Sequence, residues 1–247
     1  MKWFHRMANP AEFLRLAAGI QPIAIAIAVL TGTLGLYSGL LMSPPDYQQG
    51  EAVRIMYIHV PAAWMASMTY GFMALMSAIF LIWRHNLADL LARQAAPIGA
   101  VFTLLTLATG MLWGKPMWGA YWVWDARLTS VLLLFFLYLG YIGLSGLGAH
   151  QERTKTSCAW LCLIGAINLP IIKFSVNWWN TLHQPASILR MGGPSIDTSM
   201  LVPLLLMIVA FMALFVALLL TRADTALKQQ KLRRLQIQKI ARKNAAV

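Results

Sequence analysis

Apolar residues in this chain do not alternate with polar ones; they fall into six long runs separated by short polar connections. The runs cover about Ile20–Met42, His59–Trp83, Ala95–Trp113, Leu128–Leu147, Ser157–Ile172 and Leu201–Thr221. A helix needs roughly 20 apolar residues to cross the hydrocarbon core of a bilayer, so each run predicts a transmembrane helix. Lipid-facing barrel strands alternate over about ten residues, a period these runs lack. The pattern predicts an all-α integral membrane protein: one six-helix domain over residues 1–221, followed by a tail over 222–247. The connections at one end cover 43–58, 114–127 and 173–200, the last of them the longest.

Composition agrees, with 59% of the 247 residues hydrophobic and only 11% charged. Lys2, Arg6 and Arg15 precede the first run as they would in a secretory signal. The run is too long for one, however, and no A-x-A-like exit precedes Ser43-Pro44-Pro45, so a retained helix is expected. Charge then orients the bundle, because Lys and Arg gather in cytoplasmic loops. Fifteen of the 20 lie in the N-terminus, the second and fourth loops and the tail. Arg54, Lys115, Arg127, Lys173 and Arg190 alone fall in the other loops. Both termini are predicted cytoplasmic and the loops 43–58, 114–127 and 173–200 periplasmic. The net charge of +12 resides largely in the tail, where anionic lipid headgroups account for it without nucleic acid.

Several function classes fall away. The predicted spans hold no Asp, Glu, Lys or Arg at mid-depth, where an ion-coupled pump would need them. No histidine lies deep in a span, as a b-type cytochrome holding haem inside its bundle would require. Cys158 and Cys162 form C-x-x-x-C, neither a redox C-x-x-C nor a c-type haem attachment, and read as small buried residues. No G-x-x-x-x-G-K-[ST] loop is present, so the chain carries no ATPase site of its own and is not expected to be an enzyme.

The outer side is different. Trp118-Gly119-Ala120-Tyr121-Trp122-Val123-Trp124-Asp125-Ala126-Arg127 places three indoles and a phenol in seven positions beside one carboxylate. Trp113, Trp178 and Trp179 fall on the same side. Interfacial anchoring explains any one of these rings, but not a ring face shared with an acid. A short interfacial helix over 117–126, started by Lys115-Pro116, would put Trp118, Tyr121, Trp122 and Asp125 on one face, which suits a flat aromatic ligand. The outer side also holds His59, in Tyr-Ile-His-Val-Pro, and His183, in Trp-Trp-Asn-Thr-Leu-His-Gln. Two imidazoles make a poor structural zinc set, which wants four ligands. They do complete the octahedral iron of a haem, whose disc stacks on indoles. Its propionates would need cations, and Arg54, Lys115, Arg127 and Arg190 are available. Asp125 could equally pair with Arg127.

At these motifs the sequence resembles the cytochrome c maturation protein C (CcmC) family, haem-handling membrane proteins with a tryptophan-rich "WWD" motif. The likeness is strongest from Tyr47 to Gln184. It departs at Ala120-Tyr121, where the family often has Thr-Trp. The resemblance implies non-covalent haem b at the periplasmic face of the bacterial inner membrane, with His59 and His183 as axial ligands. It implies transfer to the haem chaperone CcmE, within an ABC transporter complex of CcmA, CcmB and CcmD, during c-type cytochrome biogenesis. On that reading Trp118, Tyr121, Trp122 and Trp124 line the porphyrin, and Arg54 and Arg127 steady the propionates. Two rival readings remain: a scaffold or permease-like subunit whose tryptophans only anchor it, and a haem-based membrane oxidoreductase.

Overall fold

The structure is a computed structural model that describes residues 9–148, 151–179, 181–183, 193 and 196–244. Helix α1 spans Pro10–Tyr37 and runs into a π-helical turn, Ser38–Met42. A single 3-10 turn, Glu51–Ile55, leads into α2, Met56–Trp83. Helices α3 (Asn86–Trp118), α4 (Ala126–Gly146), α5 (Glu152–Gly165), α6 (Asn168–Trp178) and α7 (Thr198–Asn244) follow. Among the described residues six helical segments are long and apolar enough to cross a membrane, α5 and α6 together forming one of them. All six expected spans are present, and most are longer than the apolar runs because their polar ends are helical too. Asp89 and Arg93, outside the expected third span, form a 2.5 Å ion pair in the first turns of α3.

Local chemistry sets the boundaries. Asn9 caps α1, its side chain accepting from the Ala11 amide at 3.0 Å, with Pro10 at the first helical position. Arg84, in the left-handed region at φ 53°, and His85 are all that separate α2 from α3. The fifth span breaks between Gly165 and Asn168 because Pro170 has no N–H to continue the ladder. At the break Asn168 donates instead to the Ser130 carbonyl at 2.8 Å, tying α6 to α4.

Helices in a bilayer gain nothing from hiding from lipid tails, so they associate through close fit and buried polar contacts. Gly99 of α3 shows both. The Tyr138 phenol of α4 fills the place its side chain would take: a Cβ there would lie 2.2 Å from Tyr138 Oη. That hydroxyl donates to the Ala66 carbonyl of α2 at 2.8 Å, so one ring joins three helices. Around it Met65, Tyr70, Met73, Leu134 and Cys162 form the main core. Cys158 and Cys162 are free and buried, as expected of small core residues. A second cluster, Val53, Met56, Tyr57, Leu204, Met207 and Ile208, closes one end of the bundle, with Trp64 and Trp113 packed against it.

Polar contacts between elements mark the two ends. At one, Lys155 reaches Asn86 at 3.0 Å and Arg222 the Gln94 carbonyl at 3.1 Å. At the other, Trp113 Nε1 donates to Gln49 at 2.9 Å and Thr181 to Asp125 at 2.6 Å. This second end gathers the aromatic stretch with both His59 and His183.

Candidate functional site

The aromatic stretch does not ride on a helix of its own, which corrects the expectation for 117–126. Trp118 is the last residue of α3, and Gly119 stops it at φ 76°, its amide returning to the Lys115 carbonyl at 3.1 Å. Residues 119–125 are irregular. Asp125 then caps α4, its Oδ1 accepting from the Leu128 amide at 2.7 Å. A glycine stop and an aspartate start, both legible in the sequence, outweigh the i, i+3, i+4 spacing of the rings.

The break sends the rings in different directions. Trp118 lies edge-on to His183, centroids 5.0 Å apart, while Trp113, from the same helix, lies edge-on to His59 at 5.5 Å. Trp122 contacts Trp124 at 5.4 Å. Trp124 is 75% exposed, and Tyr121, Trp178 and Trp179 are exposed as well. Trp124, Asp125, Trp179, Thr181 and Leu182 line an open depression of about 480 Å³, within the size range of ligand sites.

Each histidine is held from behind, at Nδ1. His59 stands near the start of α2, its Nδ1 3.0 Å from Thr109 Oγ1. Thr109 spends its own proton on the Leu105 carbonyl at 2.7 Å, so the imidazole donates. Gly110 is the other half of this seat: a Cβ there would lie 3.1 Å from His59 Cε1. His183 Nδ1 lies 2.9 Å from Asp125 Oδ2. Burial pushes the Asp125 carboxyl up, but hydrogen bonds from Thr181, the Leu128 amide and His183 outweigh it and hold the group below its ordinary value. Asp125 is therefore an ionised acceptor. Burial lowers the His183 imidazole in spite of Asp125, with Arg127 adding to the effect, which keeps the ring neutral. These partners favour a proton on Nδ1 in both rings, and among the described residues neither Nε2 has a hydrogen-bond partner.

Asp125 accordingly pairs with His183, not Arg127: among the described residues Arg127 forms no ion pair within 4.0 Å. Arg127 lies within electrostatic reach of both histidines. Its Nε and the Trp122 Nε1 are buried without an acceptor among the described residues, a cost that an incoming anion would relieve. Arg54 is occupied otherwise. It holds the connection between the first two spans through the carbonyls of Leu40 and Ser43, the latter at 3.0 Å, and through Glu51 at 2.8 Å. Lys115 donates to the Gly119 carbonyl at 3.1 Å and lies over the Tyr121 ring. Arg190 lies outside the described residues. Thr109, Gly110 and Thr181 are contributors that motif reading missed. Thr103, Thr106 and Thr109, three apart in an apolar run, were the available signal for the first of these.

Six membrane-length helical segments among the described residues, with two imidazoles each backed by an oxygen and an indole at one end, define a polytopic membrane protein with a candidate site at its rim. Residues 3–238 match the family described as CcmC, heme exporter protein C, and the chain belongs to that family. Heme exporter protein C of Bradyrhizobium diazoefficiens is 53% identical over 236 residues, 96% of this chain and 89% of the relative. The protein of the same name from Haemophilus influenzae is 44% identical, covering 94% of this chain and 95% of its own. That of Escherichia coli K12 is 43% identical, covering 90% and 89%.

Proposed function

We propose that this protein holds haem b non-covalently at the periplasmic face of the bacterial inner membrane and presents it to the chaperone CcmE, in a complex with CcmA, CcmB and CcmD. The observation that carries this reading is the pair of imidazoles with Nδ1 engaged and Nε2 without a hydrogen-bond partner among the described residues. Among the described residues no three His, Cys, Asp or Glu converge. A lone zinc ion wants three or four protein ligands, whereas porphyrin iron needs only two. The N–H groups of Arg127 and Trp122 that find no acceptor among the described residues suit a propionate, and Trp113 and Trp118 already pack on the ligating rings. Haem is the cargo here; its iron supplies the two coordination positions, and the chain supplies orientation and a dry aromatic wall. Arg54, which the sequence offered as a propionate partner, serves by fixing the loop beside His59. The basic end, with Arg84, Arg153 and the tail, faces the cytoplasm and its anionic lipids.

The test is the colour of the purified chain. Protein from haem-replete cells is expected to show a low-spin six-coordinate spectrum, with haem that acid–acetone extracts completely. A colourless preparation would favour a scaffold whose tryptophans only anchor it. Gly110→Ala sharpens the reading: pushing on His59 Cε1 is expected to convert part of the low-spin signal to high-spin while leaving the helical circular dichroism intact.

A further inference from the structure

The two imidazoles have unequal partners, a difference independent of whether the site carries out transfer. Behind His183 stands Asp125, an ionised carboxylate that also accepts from Thr181 at 2.6 Å and from the Leu128 amide at 2.7 Å. Behind His59 stand neutral oxygens and no carboxylate: Thr109 Oγ1, already committed to the Leu105 carbonyl, and the Thr106 carbonyl. A carboxylate bonded to the far nitrogen of a ligating imidazole draws on its proton and makes the near nitrogen a stronger electron donor. Neutral oxygens do much less. The elements that carry the rings differ as well. His59 belongs to α2, where Pro61, Tyr57 and Met56 are buried against neighbouring helices, so its ring cannot follow a departing ligand. His183 sits in irregular chain beyond α6, its amide donating to Thr181 Oγ1 at 3.2 Å.

From this we infer that the axial bonds are built unequal: Asp125 strengthens the His183–iron bond, and the His59–iron bond is the one that yields first. An external ligand then enters on the His59 face while the porphyrin stays tethered through His183. Asp125 is a positioning residue in this scheme. The exchange moves no electrons: one imidazole lone pair leaves iron and the incoming ligand's takes its place. This inference rests on haem being held by these two histidines.

The experiment uses the full haem-loaded chain, reduced and exposed to carbon monoxide, which displaces the weaker axial ligand. Flash photolysis then leaves a five-coordinate iron whose iron–histidine stretch is read by resonance Raman. Asn caps a helix as well as Asp does, so Asp125→Asn keeps the start of α4 while removing the negative charge. The stretch is expected to fall in Asp125→Asn and to stay put in Thr109→Val, and the midpoint potential of Asp125→Asn to rise as ferric iron loses donation. A stretch that moves with Thr109→Val but not with Asp125→Asn shows His59 as the retained ligand and overturns the inference; so does one that moves with neither. If His59→Ala and His183→Ala both keep the wild-type low-spin spectrum, it is the assignment of the ligands that fails, and the bond order with it.

Discussion

His59→Ala and His183→Ala are each expected to turn the low-spin spectrum of the haem-loaded chain into a high-spin one, with millimolar imidazole restoring it. Each change would remove one of the two proposed iron bonds, so haem retention through purification should fall by more than the 10–100-fold that losing a ligand's outer partner typically costs. Rescue by imidazole matters because it separates a lost ligand from a lost fold: free imidazole can fill a hole left at Nε2 but cannot rebuild a collapsed loop. The two variants should also differ in residual haem. His183→Ala leaves Asp125 ionised at the site, 6% exposed and without its imidazole donor, so it should retain less than His59→Ala, which orphans only neutral oxygens. Two variants with wild-type spectra would dispose of the ligand assignment.

The second large effect is structural. Gly99→Val puts branched carbon where the Tyr138 phenol now lies, with Tyr138 Cζ only 2.3 Å from the new Cβ. The ring has no room to slide, because its hydroxyl is bonded to the Ala66 carbonyl and the surroundings are fully buried. Overpacking costs roughly 1–3 kcal/mol, and a stranded buried hydroxyl about as much again. The α2–α3–α4 contact should open, visible as a lower midpoint in thermal unfolding in detergent and as reduced yield. Tyr138→Leu in the same chain is expected to recover part of the loss. An unchanged midpoint for Gly99→Val would show that the notch is not what holds these helices together.

Much of this was legible in the sequence, and the parts that were not share a cause. The six spans follow from run length alone, since a bilayer penalises every unpaired backbone group and leaves the chain only helices. His59, His183 and the outer tryptophans could be grouped because alternating spans assign each loop to an end. What one-dimensional reading missed were relations between loops distant in sequence. Arg127, a near neighbour, was one of two open options for Asp125, whereas its hydrogen-bond partner lies 58 positions on. Thr109 looked like one more hydroxyl satisfying its own helix, which it does, while also seating His59. The helix assigned to 117–126 failed differently: aromatic spacing was weighed above Gly119 and Asp125, whose backbone roles decide where helices stop and start.

One feature of the fold reaches well beyond the rim. Helix α7 runs unbroken from Thr198 to Asn244, about 70 Å at 1.5 Å per residue, more than twice the thickness of the hydrocarbon. From Leu204 onward its sequence contains neither Pro nor Gly, so it has no joint. Near one tip Leu204 and Met207 pack with Tyr57, two residues from His59; at the other lie Arg233, Arg234, Lys239 and Arg242. The basic residues therefore ride on the same continuous helix whose other end packs with Tyr57, rather than on a separate arm.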